Sequence, residues 1–157
     1  TPPQCSPEFI KNSPLADEAG WVDVDHKDGT LRHTKYENIY SLGDVMNAPN
    51  AKTGAAVRKQ SPIIVHNLLK DINKSSEAYQ KYDGYGACPL TVAKDKVMLA
   101  EFVYGGVVTP SFPLDPKVPR GMYMQMKKKL FPWLQWNVMF KGKNWNFPTH
   151  KPMKSQA

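Results

Sequence analysis

Cysteine is scarce in this chain: Cys5 and Cys88 are the only two, far apart and in no CxxC spacing. That excludes a disulfide scaffold and any structural zinc site built mainly from thiolates. The four histidines, His26, His33, His66 and His150, show no ligand spacing and no Ser or Asp partner arrangement, so none is assigned a role. No apolar run approaches the length needed to cross a bilayer, and no signal or transit peptide is visible. There is no internal repeat. Proline is abundant instead: fourteen among 157 residues, nearly twice the usual share of about 5%, which argues for much irregular connection. The net charge is +7 and the pI about 9.4, suited to an acidic partner surface such as nucleic acid or anionic lipid. The excess of Lys and Arg lies in the second half and is densest at Lys127-Lys128-Lys129. Opening on Thr1-Pro2-Pro3 with no initiator Met, the chain reads as a C-terminal piece of a longer protein.

Residues 1–17 are rich in Pro and Ser and read as loop with one helical turn. Gly20-Trp21-Val22-Asp23-Val24-Asp25 alternates apolar and polar residues; with the turn signal Lys27-Asp28-Gly29 and the run Thr30 to His33 it predicts a hairpin. The short apolar run Asn38 to Leu42 reads as a buried strand that stops at Gly43-Asp44. A helix of small residues opens at Thr53-Gly54-Ala55-Ala56 and runs on to Ile72, with Pro62 inside it, where a kink or a split is expected. Cys88 to Val92, Lys96 to Tyr104 and Val107 to Thr109, separated by Lys94-Asp95 and Gly105-Gly106, predict a three-stranded antiparallel meander. A helical stretch from Gly121 is expected to break at Pro132 and resume to Phe140, followed by a basic tail that ends polar and disordered. The fold class is therefore α+β: a small antiparallel sheet with terminal amphipathic helices.

Three constellations carry chemistry. The first is strand, Gly43-Asp44, loop, then a helix almost without side chains in its first turn. Glycine lets backbone approach a ligand, a carboxylate at a strand end accepts bonds from sugar-like hydroxyls, and a helix N-terminus offers N–H groups to anions. A tight turn before an ordinary helix fits the same residues, and Lys52 alone fits a solvated surface lysine. The second is Gly86-Ala87-Cys88-Pro89, a cysteine among small residues beside a proline; a small buried hydrophobe fits as well as a reactive thiol. The third is Gly121 to Trp145, where aromatics and methionines alternate with lysines. Such helices suit a membrane interface, a core-packed helical pair fits too, and lysines among aromatics also suit single-stranded nucleic acid.

The stretch Tyr36-Glu37-Asn38-Ile39-Tyr40-Ser41-Leu42-Gly43-Asp44 resembles the second flavin-binding motif of two-dinucleotide-domain flavoproteins. With Lys81 to Leu90, Met98 to Phe102, Gly20 to Asp25 and Leu130-Phe131-Pro132-Trp133-Leu134-Gln135-Trp136-Asn137, the resemblance narrows to the sulfide:quinone oxidoreductases of the mitochondrial type. It implies an α/β parent of which this is the C-terminal segment, lacking the GxGxxG half: residues 1–76 as the end of the FAD-binding domain and 77–157 as a C-terminal domain with membrane-interface helices. It implies FAD as cofactor, bound through Gly43, Asp44 (ribityl chain), Lys52 (pyrimidine edge of the ring) and Thr53. It implies Cys88 as one of two thiols that carry sulfur, its partner lying upstream, with Cys5 incidental. Val45 departs from relatives that carry another cysteine there, and Pro62 departs from a straight helix. The implied partners are hydrogen sulfide, a small sulfur acceptor, ubiquinone, the inner-membrane surface of the mitochondrion and the remainder of the parent chain, with no nucleic acid. The segment alone is expected to be inactive. A type II NADH:quinone oxidoreductase shares the Gly-Asp motif but has no use for Cys88; a non-catalytic basic module binding lipid or nucleic acid through 121–145 is the alternative from another class.

Overall fold

The computed structural model describes residues 4–143. Sequence expectations for the polar tail beyond 143, and for Trp145, lie outside the described residues. The chain forms two compact units, the first ending at Gly84 and the second beginning at Tyr85. The α+β class holds: helices and one two-stranded antiparallel sheet.

The first unit is built mostly of irregular chain around one long helix. A single helical turn, α1, spans Glu8–Lys11. The expected hairpin over 20–33 is reduced to isolated bridges: Val24 with His33, Arg32 with Tyr40, and Val22 in parallel with Met46. The reason is local. Gly29 and Leu31 have positive φ, +79° and +62°, and Asp25 draws the N–H groups of Lys27 and Asp28 onto its own carboxylate, so the chain turns where a ladder would have run. A left-handed leucine costs about 1–2 kcal/mol; complete burial of the Leu31 side chain offsets it.

Helix α2, Gly54–Asn73, is continuous through Pro62, where a kink or split was expected. Proline removes one backbone bond, but the two halves share one buried stripe, Ala56, Gln60, Ile64 and Asn67, at helical spacing. Both ends are fixed. Thr53 Oγ1 accepts from the Ala56 N–H at 3.2 Å, and Lys74 adopts the left-handed conformation that lets the Lys74 and Ser75 N–H groups bond back to Asp71 and Lys70. Asn67, fully buried, gives its amide N–H to the carbonyls of Thr30 and Gln80 and takes the Gln80 N–H at 2.8 Å.

In the second unit, β1 (Gly86–Ala93) and β2 (Lys96–Phe102) pair antiparallel, with Ala93 opposite Lys96 across the expected Lys94-Asp95 turn. The third expected strand is only a bridge between Phe102 and Val108, because Gly105 and Gly106, both at positive φ, form a tight helical turn first. The helical stretch is not broken at Pro132. It passes from α3 (Gly121–Gln125) through a π turn (Met126–Leu130) into α4 (Phe131–Asn137). Phe131 N–H reaches back five residues to Met126 O, so the ladder has already widened where Pro132 has no N–H to give. Val97 and Leu99 pack on Tyr123 and Met124, with Phe112, Leu114 and Met126 around them.

A polar clasp ties the end of α2 to the chain before it. Asp71 accepts from Arg32 at 3.1 Å, from Tyr40 OH at 2.6 Å and from Tyr79 OH at 2.5 Å, and Arg32 stacks over Tyr79. Burial alone would raise the Asp71 carboxyl, but the Tyr40 and Tyr79 hydroxyls, helped by Arg32 and Lys70, hold it below 3.8. Burial and the bond to Asp71 push Tyr40 up to about 12. Because the folded carboxyl titrates below its unfolded value, its stabilisation is complete above that value and is lost as pH falls through the folded one. Replacing Asp71 by Asn should cost about 1–3 kcal/mol at pH 7. The gap from wild type should close below pH 3.8, as read by urea unfolding across a pH series.

Candidate functional site

The first unit gathers four of the sequence-predicted residues on one loop. The run 38–42, expected as a buried strand, forms only the Tyr40 bridge to Arg32, and of its residues Ser41 alone is buried. Gly43 to Val45 then form a tight helical turn, and Gly43 has φ +74°, a conformation open to glycine. The Gly43 N–H donates to Gln60 Oε1 at 2.8 Å, so the turn is pinned to the second turn of α2. Gln60 is 0% exposed, and its Nε2 has no hydrogen-bond partner among the described residues. The Asp44 side chain projects outward, exposed. Thr53 caps α2, and Gly54, the first helical residue, faces open space: a Cβ there would meet nothing within 4 Å. An exposed carboxylate, a helix N-terminus stripped of side chains and an unpaired buried amide thus lie along one loop and the helix that follows it.

Lys52 does not extend into solvent. Its Nζ donates to the carbonyls of Asp44 and Met46, the latter at 2.8 Å, and sits 4.2 Å from the centre of the Trp21 ring. Burial lowers its pKa, opposed by the Asp44 charge. The lysine therefore closes the loop that carries Asp44 and places a cation beside it.

In the second unit Cys88 is a free, half-buried thiol on β1 opposite Ala100. On the neighbouring register position Glu101, fully buried, accepts from Tyr85 OH at 2.7 Å and from the N–H and hydroxyl of Ser111. Lys127, in the π turn, donates to Pro89 O at 2.9 Å and to Thr91 Oγ1 at 2.8 Å, unlike the exposed Lys128 and Lys129 beside it in the basic run. Trp133, Trp136 and Phe140 are exposed, Trp136 by 64%. No helix among the described residues is long and apolar enough to cross a membrane.

Gln60, Trp21 and Lys127 are the residues that sequence reasoning missed. Gln60 carries a usable signal: an amide on the buried stripe of a helix, four residues from Ala56 and from Ile64. Trp21 and Lys127 carry none, since their partners are set by tertiary packing. Lys52→Met should uncover Trp21 and leave the Asp44 and Met46 carbonyls without their donor. The expected result is a shift of Trp21 emission and a loss of about 1–3 kcal/mol in unfolding free energy, checked by fluorescence-monitored denaturation.

No family model matches the chain. Curated relatives do. Mitochondrial sulfide:quinone oxidoreductase of Mus musculus is 44% identical over 142 residues, 90% of this chain and 31% of the relative. That of Dictyostelium discoideum is 46% identical over 143 residues, 90% of this chain and 31% of the relative. That of Schizosaccharomyces pombe is 38% identical over 162 residues, 97% of this chain and 35% of the relative. Among solved structures, a chain in the cryo-EM structure of the Tetrahymena thermophila mitochondrial ATP synthase superposes with a TM-score of 0.70 at 27% identity, over 83% of this chain and 31% of that one. The chain spans about a third of the length of the curated relatives it matches. Over nine-tenths or more of its length the chain is similar to a segment of the mitochondrial sulfide:quinone oxidoreductases.

Proposed function

We propose that the protein carrying this segment is an FAD-dependent enzyme that oxidises hydrogen sulfide through a cysteine persulfide and reduces ubiquinone at the mitochondrial inner membrane. The observation that carries this reading is the 38–46% identity to sulfide:quinone oxidoreductases over nine-tenths or more of the chain. Residues 1–76 are taken as the end of the FAD-binding domain and 77–157 as the C-terminal domain. The segment by itself is expected to be inactive, because half of the flavin site and the partner thiol belong to the remainder of the parent.

The residues present fit a flavin dinucleotide. Gly54 leaves room above the start of α2, Asp44 offers an exposed carboxylate, and the amide of Gln60 beneath the Gly43 turn is unpaired. When bound, FAD supplies the two-electron acceptor that links sulfide to quinone. Asp44 would accept from the ribityl hydroxyls. Lys52 and the positive end of α2, capped by Thr53, would favour negative charge gathered at the pyrimidine edge of the ring. Since the Lys52 amine is held by two carbonyls, it acts there by its field and by stiffening the loop.

Cys88 would carry sulfur. Hydrosulfide attacks one sulfur of a disulfide between Cys88 and its upstream partner, and the bond between the two cysteines breaks. A new S–S bond forms to one cysteine as a persulfide, and the other cysteine leaves as a thiolate bearing the electron pair that goes on to quinone. A small sulfur acceptor then removes the outer sulfur. The exposed Trp133, Trp136 and Phe140, flanked by Lys128 and Lys129, would lie in the headgroup region next to the quinone.

In the full-length protein, Cys88→Ser should keep its flavin absorbance and lose sulfide-dependent quinone reduction by at least about 100-fold, the scale expected when a covalent nucleophile is removed. Unchanged turnover would make Cys88 structural and favour a type II NADH:quinone oxidoreductase reading. Asp44→Ala should instead release flavin, measured as the ratio of flavin to protein absorbance after gel filtration.

A further inference from the structure

We propose that Lys127 is a positioning residue for Cys88: the π turn aims its amine at the outer edge of β1 and fixes the Cys88-Pro89 segment in place. The inference rests on the sulfur-carrying role of Cys88.

The argument starts from Pro89. Proline has no N–H, so at this position β1 offers only a carbonyl, and Lys127 Nζ binds that carbonyl at 2.9 Å. A second bond runs to Thr91 Oγ1 at 2.8 Å, two residues along, so one ammonium grips the strand at two points. Charge-assisted bonds of this kind are the strong ones. On the inner edge Cys88, Pro89 and Leu90 are matched with Ala100, Leu99 and Met98 of β2. The segment from Cys88 to Leu90 is thus held by the ladder on one side and, at the peptide between Pro89 and Leu90, by the lysine on the other.

The π turn is what makes the reach possible. It spans Met126–Leu130 and holds all three lysines of the basic run, of which Lys128 and Lys129 are exposed while Lys127 turns to the strand. A π turn inserts one residue into a helix and redirects the side chains around it. Because the same turn runs directly into α4 with its exposed tryptophans, Lys127 also joins the aromatic helix to the cysteine strand.

The test is made in the full-length protein. Lys127→Met should lower the kcat of sulfide-dependent quinone reduction by about tenfold, the scale of one charge-assisted hydrogen bond, with flavin content and the KM for quinone unchanged. Lys127→Arg, which keeps a cation and donors, should recover most of it. Wild-type kcat in Lys127→Met, or loss of flavin in parallel with kcat, overturns the proposal. A second measurement needs no turnover: alkylation of Cys88 by a neutral thiol reagent, followed on its own peptide by mass spectrometry. Freeing the strand edge should speed alkylation in Lys127→Met and, to a smaller degree, in Thr91→Val, which leaves the helix untouched; equal rates in all three proteins overturn the proposal. If Cys88→Ser retains activity, the sulfur-carrying role falls, and the alkylation rates still decide whether Lys127 holds the strand.

Discussion

Everything in the first unit follows from one constraint: a chain with bridges in place of a sheet must find other partners for its buried backbone groups. Side-chain amides and carboxylates supply them. Asn67 serves Thr30 and Gln80, Gln60 serves Gly43, and Asn47 takes the Val24 N–H at 3.0 Å while its own amide donates to Asp23. The two amides on α2 are fully buried. A helix that buried only hydrocarbon there would leave two loops with unmet polar groups, each costing about 1–3 kcal/mol. This is why the helix tolerates Pro62: its place is set by these side-chain bonds and by both caps, so one missing ladder bond does not decide its course.

The same economy shapes the candidate flavin loop. Gly43 turns left-handed, its N–H is spoken for by α2, and Lys52 closes the loop over the Asp44 and Met46 carbonyls beneath Trp21. What stays outward is the Asp44 carboxylate and the bare start of the helix. These bonds hold the loop in place without a ligand, which lowers the ordering cost of binding.

Local pattern made much of this legible. Gly43-Asp44 followed by Thr53-Gly54-Ala55-Ala56 announced a turn and the start of a helix, and Lys94-Asp95 announced the hairpin, because each depends on neighbours in sequence. The hairpin over 20–33 was misread because alternation takes no account of Leu31 in a left-handed conformation, which only burial stabilises. Pro132 was read as a break because proline usually ends a helix; the π turn before it uses a five-residue hydrogen bond that no residue type encodes. Lys127 looked like its two neighbours in the run and differs only by where the turn points it. For Cys88 and Asp44, the resemblance supplied the proposed chemistry and the structure supplied the surroundings.

The hairpin of the second unit has one further property. A two-stranded sheet leaves an outer edge on which a strand from another molecule can add, a common route to aggregation. Here Pro89 withholds a donor and Lys127 occupies its carbonyl, so at this position an incoming strand would find no free backbone group and meet a positive charge. The edge is therefore guarded beside Cys88, where a thiol brought against a second copy could otherwise form an intermolecular disulfide.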